Sequence, residues 1–220
     1  MIGKIHYYGN PFVGIFAKAN DSFAFVPKGC SPGFLAAIRE HLGVEIIETM
    51  INGSNLIGIY MAVSKDFVFL PEIAGKEELE EIRQSGLEVI VTGERHNAWG
   101  NNLSINSRGG VINKDISPNV IKYLEDITGA EIVPMEIENY NTMGSVVLAT
   151  EKGFAVKNNA TEEEIKNIES ILRVKGGIAT ANMGNVFISA CALANSKGLV
   201  VGESTTGIEL ARLQDSLNLL

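Results

Sequence analysis

Cysteine, tryptophan and histidine are scarce here: two, one and three among 220 residues. Two cysteines cannot build a disulfide framework and three scattered histidines cannot build a histidine-rich metal site, so a packed core must hold the fold. Such sparse cysteine also points to a reducing, cytosol-like compartment, and a cytoplasmic protein is expected. Long hydrophobic runs are missing as well. Stretches such as Leu56 to Val63 are less than half of a membrane span, and Met1-Ile2-Gly3-Lys4-Ile5-His6-Tyr7-Tyr8-Gly9 holds no apolar signal-peptide region, so neither a membrane segment nor a leader is expected. Positive charge is the third deficit. The net charge is −8 and no two Lys or Arg residues are adjacent. Gripping nucleic acid through its phosphates needs a concentrated basic face. RNA or DNA as sole partner is therefore not expected, and a basic protein segment suits the charge better.

What is present reads as globular: 45% hydrophobic and 20% charged residues, with 23 glycines. A chain this long buries about 70% of its unfolded surface. It also repeats itself, and internal repeats decide a fold before any other signal. Gly43-Val44-Glu45-Ile46-Ile47 is echoed by Gly86-Leu87-Glu88-Val89-Ile90 and by Gly129-Ala130-Glu131-Ile132-Val133, at a spacing of 43 residues. A second register agrees at 44 residues, with Phe12-Val13-Gly14-Ile15 against Leu56-Ile57-Gly58-Ile59 and Phe23-Ala24-Phe25-Val26-Pro27 against Phe67-Val68-Phe69-Leu70-Pro71. Lys152-Gly153-Phe154 and Lys197-Gly198-Leu199 keep the pattern at 45.

Each unit reads as strand, strand, helix, strand. Ser31-Pro32 and Ser117-Pro118 look like an N-cap followed by proline at the first helical position, and Thr161-Glu162-Glu163-Glu164 is a capping box. Gly43, Gly86 and Gly129 sit where a helix needs a left-handed C-terminal residue. The pattern predicts helices at about 32–42, 76–85, 118–128, 161–172 and 206–217. The last unit lacks its final strand, and the first is preceded by a spare one at Ile2 to Tyr7. Pairing these two closes a ring and leaves no open sheet end. With no composition shift or linker, residues 1–220 are expected to form one α/β domain of five repeats.

Catalytic motifs are hard to find. Cys191, in Ser189-Ala190-Cys191-Ala192-Leu193-Ala194, reads as a buried core thiol on a strand rather than a nucleophile. Cys30 precedes a helix start, which favours thiolate, but it reads more simply as a turn residue. His96, in Glu94-Arg95-His96-Asn97, has neighbours able to tune an acid or base but no partner that the sequence places beside it. Glu77-Glu78-Leu79-Glu80-Glu81 reads as a solvated first turn of a helix. No P-loop, nucleophile elbow or zinc-ligand spacing occurs, and neither metal nor cofactor is expected. Asn and Gly cluster once per unit, at Gly9-Asn10, Gly53-Ser54-Asn55, Gly100-Asn101-Asn102, Asn141 to Gly144 and Asn182 to Asn185. These suit turns, and in a ring equivalent turns gather on one face suited to binding.

Three stretches resemble one family. Asn10-Pro11-Phe12-Val13-Gly14-Ile15-Phe16-Ala17-Lys18, Glu94-Arg95-His96-Asn97-Ala98-Trp99-Gly100-Asn101 and Thr180-Ala181-Asn182-Met183-Gly184 are similar to the translation initiation factor 6 family, and the likeness covers essentially the whole chain. The resemblance implies the pentein fold, a five-bladed α/β propeller with pseudo-fivefold symmetry. It implies a ribosome anti-association factor that binds the intersubunit face of the large ribosomal subunit, prevents premature joining of the small subunit and takes part in large-subunit biogenesis. Contact is implied mainly with a ribosomal protein near the sarcin–ricin loop, with release by a translocation-type GTPase and a maturation cofactor. Asn101 matches the family's contact asparagine, and Asn10, Gly14, Asn55 and Asn182 are the further candidate contact residues. Ile59 stands where eukaryotic members carry a basic residue, and the chain ends at Leu220 without their polar extension, so it resembles archaeal members. A monomer is expected. The competing class is a pentein-type guanidine-modifying hydrolase with a Cys nucleophile, but no glycine-rich, His-preceded Cys stands near the end of this chain.

Overall fold

The computed structural model describes residues 1–219. The chain builds five three-stranded sheets, one per repeat, arranged as the blades of an α/β propeller. The first repeat shows the plan. A single helical turn, Val13–Phe16, leads into the strand Lys18–Ala19, which pairs antiparallel with Phe23–Pro27. The helix Pro32–Leu42 then crosses over, and Glu45–Thr49 returns parallel to Phe23–Pro27, from Phe23 opposite Glu45 to Pro27 opposite Thr49. The helix-strand pattern of each unit thus begins with a one-turn inner helix that the strand, strand, helix, strand reading lacks. Its four copies elsewhere are Ile57–Tyr60, Trp99–Asn102, Met143–Val146 and Ile188–Cys191. Four residues complete barely one turn, and none of the five carries a side-chain cap, so neither periodicity nor capping marks them.

The outer helices follow their start and stop signals closely. They span Pro32–Leu42, Lys76–Arg83, Pro118–Thr128, Glu162–Leu172 and Gly207–Ser216. The Ser31 hydroxyl accepts from the Phe34 N–H at 3.3 Å, and Gly43, Gly86 and Gly129 take the left-handed conformation at φ 61°, 74° and 67°. Ser117 stands at the third N-cap without a capping bond, its N–H going instead to Glu94. Each outer helix wedges between adjacent sheets. Phe34, Ile38 and Leu42, for example, pack with Leu193 and Val200 of the last blade.

Two helix-start carboxylates do more than face solvent. Glu78 accepts from its own N-cap Gly75 N–H and also from the Asn52 and Gly53 N–H groups of the neighbouring turn, both at 2.8 Å. The stretch Glu77–Glu81 is therefore not only a solvated first turn, because Glu81 likewise takes the Thr49 hydroxyl at 3.0 Å and pairs with Lys28. Glu209 repeats the device around the turn at Met183-Gly184. It is buried, which by itself raises its pKa, but bonds from the N–H groups of Thr206 and Gly184 and the hydroxyls of Thr206 and Thr180 outweigh burial and bring it down to about 2.

The ring closes through the N-terminus. Ile2–Ile5 pairs parallel with Leu199–Gly202, from Ile2 opposite Leu199 to Ile5 opposite Gly202, and so supplies the strand that the last blade lacks. At the axis the inner helices touch through bare backbone. A Cβ on Gly14 would overlap the Ser189 carbonyl oxygen, one on Gly58 that of Gly14, and one on Gly100 that of Gly58. A Cβ on Gly144 would lie 2.5 Å from the Gly100 oxygen and 2.7 Å from that of Leu103. The fifth position is Ser189, whose hydroxyl donates to the Val147 carbonyl at 3.0 Å.

Deleting residues 2–7 strips the last blade of its edge and is expected to lower stability by several kcal/mol, a large share of the total for a domain. A truncated protein that melts with the parent would contradict closure by the N-terminal strand. Glu209 sets a pH window. Its folded pKa lies below the unfolded 4.5, so its contribution is full above pH 4.5 and fades as pH falls towards 2. Glu209→Gln is expected to lower stability by roughly 2–3 kcal/mol at pH 7, with the gap to wild type narrowing on acidification, in urea melts recorded at a series of pH values.

Candidate functional site

The pseudo-fivefold arrangement leaves a narrow channel along the axis, in three successive chambers that share lining residues. The one nearest the inner helices is bordered by Ile15, Ile59, Asn101, Ser145 and Ala190, the third residue of each helix. The middle chamber, about 40 Å³, is bordered by Lys18, Ser104, Leu148 and Leu193. The far one lies among Asn20, Ser64, Asn106, Thr150 and Asn195. The two ends differ in chemistry because the chain turns differently at each.

At the far end the sequence carries a signal that the Asn-Gly reading passed over. Asn20, Asn106 and Asn195 stand at one equivalent position in the first, third and fifth units, with Ser64 and Thr150 between them, and each folds its own hairpin turn while reaching across to a neighbouring unit. The Asn20 Oδ1 accepts from Ser22 and Phe23 N–H, while its Nδ2 donates to the Ser64 carbonyl at 2.8 Å. Asn195 donates to the carbonyls of Asn20 and Leu42, and Asn106 to those of Thr150 and Leu172. All three are buried with their amides fully used. They tie the hairpin turns of neighbouring units together at this end.

The other end gathers the tight turns, with Tyr7 bridged to Asn10, Ile51 to Ser54, Ile137 to Tyr140 and Ala181 to Asn185. Asn10 lies there, half-buried, its side-chain oxygen accepting from the Phe12 N–H at 2.9 Å. Asn55 is exposed just beyond the second turn. Asn182 is in the last, with φ 47°, and its amide is spent internally, Nδ2 donating to the Pro11 carbonyl and Oδ1 accepting from the Thr205 hydroxyl. Gly14 and Asn101 are not in these turns. Gly14 is buried in the first inner helix against Ser189, and Asn101 belongs to the helix Trp99–Asn102, which corrects its reading as part of a Gly-Asn turn. Gly100 corresponds to Gly14, Gly58 and Gly144, not to Gly9. The confusion arises because Gly and Asn serve both close helix approach and turns.

Asn101 is half-buried at the channel mouth. Its Oδ1 accepts from the Ser145 hydroxyl at 3.1 Å, which orients the amide, and among the described residues its Nδ2 has no acceptor. The loop that delivers it is tied down by Glu94. That carboxylate takes the His96 and Ser117 N–H groups at 3.3 and 3.2 Å, and these bonds outweigh burial and keep its pKa below the usual carboxylate range. Asn102 adds a bond to the His96 carbonyl, Trp99 is fully buried, and Arg95 stays exposed. Glu94 and Gly100 thus hold the backbone while Arg95 and Asn101 face outward. The same end carries Tyr8, Met183 and Phe187, exposed at 68%, 77% and 38%.

Both thiols are held in the protonated form. Cys191 is fully buried, as expected, although it ends an inner helix rather than lying on a strand. Burial pushes its pKa up to about 12, and Cys30, whose thiol donates to the Pro27 carbonyl, is also pushed up to about 12 by burial. At pH 7 only about one such thiol in 10⁵ is thiolate. No group of three or more His, Cys, Asp or Glu suited to a metal occurs among the described residues, and no helix there is long and apolar enough to cross a membrane.

Comparison with known proteins gives a consistent result. The profile described as the eIF-6 family matches residues 2–216. Similar chains include the proteins named translation initiation factor 6 of Sulfolobus acidocaldarius, 34% identical over 97% of both chains, and of Thermoplasma acidophilum, 33% identical over 99% of this chain and 100% of that one. That of Picrophilus torridus is 30% identical over 99% of this chain and 100% of its own. Among solved structures, DDAH from Pseudomonas aeruginosa, complexed with citrulline, aligns over 94% of this chain and 74% of that one at 14% identity and a TM-score of 0.44, too low to bear on activity. With the family match running from the first strand to the last outer helix, the chain belongs to the eIF-6 family.

Proposed function

We propose that this translation factor binds the large ribosomal subunit on its intersubunit face, blocks premature joining of the small subunit and accompanies large-subunit biogenesis. The observation that carries this reading is the asymmetry between the two ends of the ring. At the far end the asparagine amides are spent on bonds within the protein, whereas the turn end presents the unpaired Asn101 amide, the Arg95 guanidinium and the exposed Tyr8, Met183 and Phe187 side chains. Large exposed apolar side chains grouped with free polar groups mark a protein contact. The net charge of −8 favours a basic protein partner over bare RNA, in keeping with a ribosomal protein near the sarcin–ricin loop.

In this proposal Asn101 pairs directly with the partner, Asn10 and Asn55 lie on the same contact face, and Gly14 and Asn182 act by fixing the backbone beneath it. The whole chain works as one cytoplasmic domain and as a monomer. Release falls to a translocation-type GTPase with a maturation cofactor. Binding rather than catalysis blocks joining, because the protonated, buried Cys191 and Cys30 thiols supply no nucleophile for a guanidine-modifying reaction.

The direct test is sedimentation with purified ribosomal subunits. The protein is expected to travel with large subunits and not with small ones, and to lower the fraction of joined ribosomes without nucleotide. Equal binding to both subunits, or no effect on joining, would contradict the proposal. Asn101→Ser removes the free amide and is expected to weaken large-subunit binding about 5–150-fold, while the melting temperature stays close to that of wild type. Unchanged affinity would remove Asn101 from the contact.

A further inference from the structure

One charged side chain inside the ring has no counterpart. Lys18 borders both the mouth and the middle chamber of the channel and, among the described residues, is the only charged one that borders either. The equivalent positions in the other units hold Ala62, Ser104, Leu148 and Leu193, all neutral. Burial is the one influence on its ammonium group, with no carboxylate and no hydrogen bond to offset it, and this brings its pKa down to about 8. The carboxylates nearest along the channel, Asp21 and Glu151, border only the far chamber and are already bonded to Ser196 and Ser107. Lys18 is half-buried, and a partly desolvated ammonium group without a counter-charge carries a cost that a counter-anion lowers.

The space is also restrictive. A chamber of about 40 Å³ holds roughly three waters, which is room for a small inorganic anion but not for a nucleotide or a sugar. Ser104 borders the same chamber and brings a neutral hydroxyl donor. We propose that the central channel is a binding site for a small inorganic oxyanion of the size and charge of phosphate or sulfate, with the Lys18 ammonium as its counter-charge and the Ser104 hydroxyl as a neutral donor. The site lies inside the free protein and needs no ribosome.

Thermal melts at pH 7 in potassium phosphate, against potassium chloride of matched ionic strength, test this with wild type, Lys18→Met and Lys166→Met. Lys166 is exposed on an outer helix and controls for loss of a surface charge. Phosphate at tenfold above half-saturation is expected to raise the melting temperature of wild type and Lys166→Met by roughly 3–6 °C more than that of Lys18→Met. In chloride alone, Lys18→Met is expected to melt no lower than wild type, because it removes an unpaired charge. An equal rise in all three proteins is the general effect of a stabilising salt and would overturn the proposal. Phosphorus NMR of phosphate titrated into wild type reads the site without any variant. Saturable binding of one phosphate per chain supports it, and an unsaturable or absent response overturns it.

Discussion

The close backbone contact of the five inner helices at the axis is the constraint on which the rest of the molecule depends. Gly14, Gly58, Gly100 and Gly144 each let one helix rest against the carbonyls of the helix before it, and Ser189 makes the fifth step with a hydroxyl bond. Glycine here is not about unusual dihedral angles, since all four have ordinary helical backbones. It is about distance, because any side chain at these points meets a carbonyl oxygen. Once the helices are drawn together, the five sheets must radiate, the outer helices must fill the wedges between them, and the N-terminal strand must complete the last blade.

The same contact determines what the site can be. It narrows the channel until a small ion and a few waters are all that fit, and it places the third residue of each inner helix around the mouth. Asn101 is presented there by a helix fixed on both sides, by Gly100 against Gly58 and by Ser145 bonding its side chain. A side chain held in this way loses little entropy on binding, which suits recognition better than a free loop does. The tight turns around the mouth are in turn held by carboxylates from the outer helices, Glu78 at one turn and Glu209 at another.

The outer helices were legible because their ends are chemical. Pro32 and Pro118 begin helices, Gly43 and Gly129 end them, and the bounds expected for both helices are those observed. Ring closure was legible because Ile2–Ile5 and the unpaired last unit are complementary deficits. The inner helices were not legible, since a single turn carries neither periodicity nor a cap. That gap misplaced Asn101, whose Gly-Asn dipeptide looks like a turn when seen one residue at a time. The bonds that tie the far end together were hidden too, although Asn20, Asn106 and Asn195 stand at equivalent positions of alternate units. Their partners are carbonyls in other units, and no local pattern records those.

The most direct measurement is thermal unfolding of Gly58→Ala beside Gly33→Ala. Gly58 lies against the Gly14 carbonyl at the axis, whereas a methyl group at Gly33, on an outer helix, meets nothing within 4 Å. If axial backbone contact underlies the ring, Gly58→Ala costs on the order of 3 kcal/mol or more and lowers the melting temperature by roughly 6–12 °C. Gly33→Ala should match wild type or melt slightly higher, as alanine favours helix. A Gly58→Ala protein as stable as Gly33→Ala would contradict the central role of that contact.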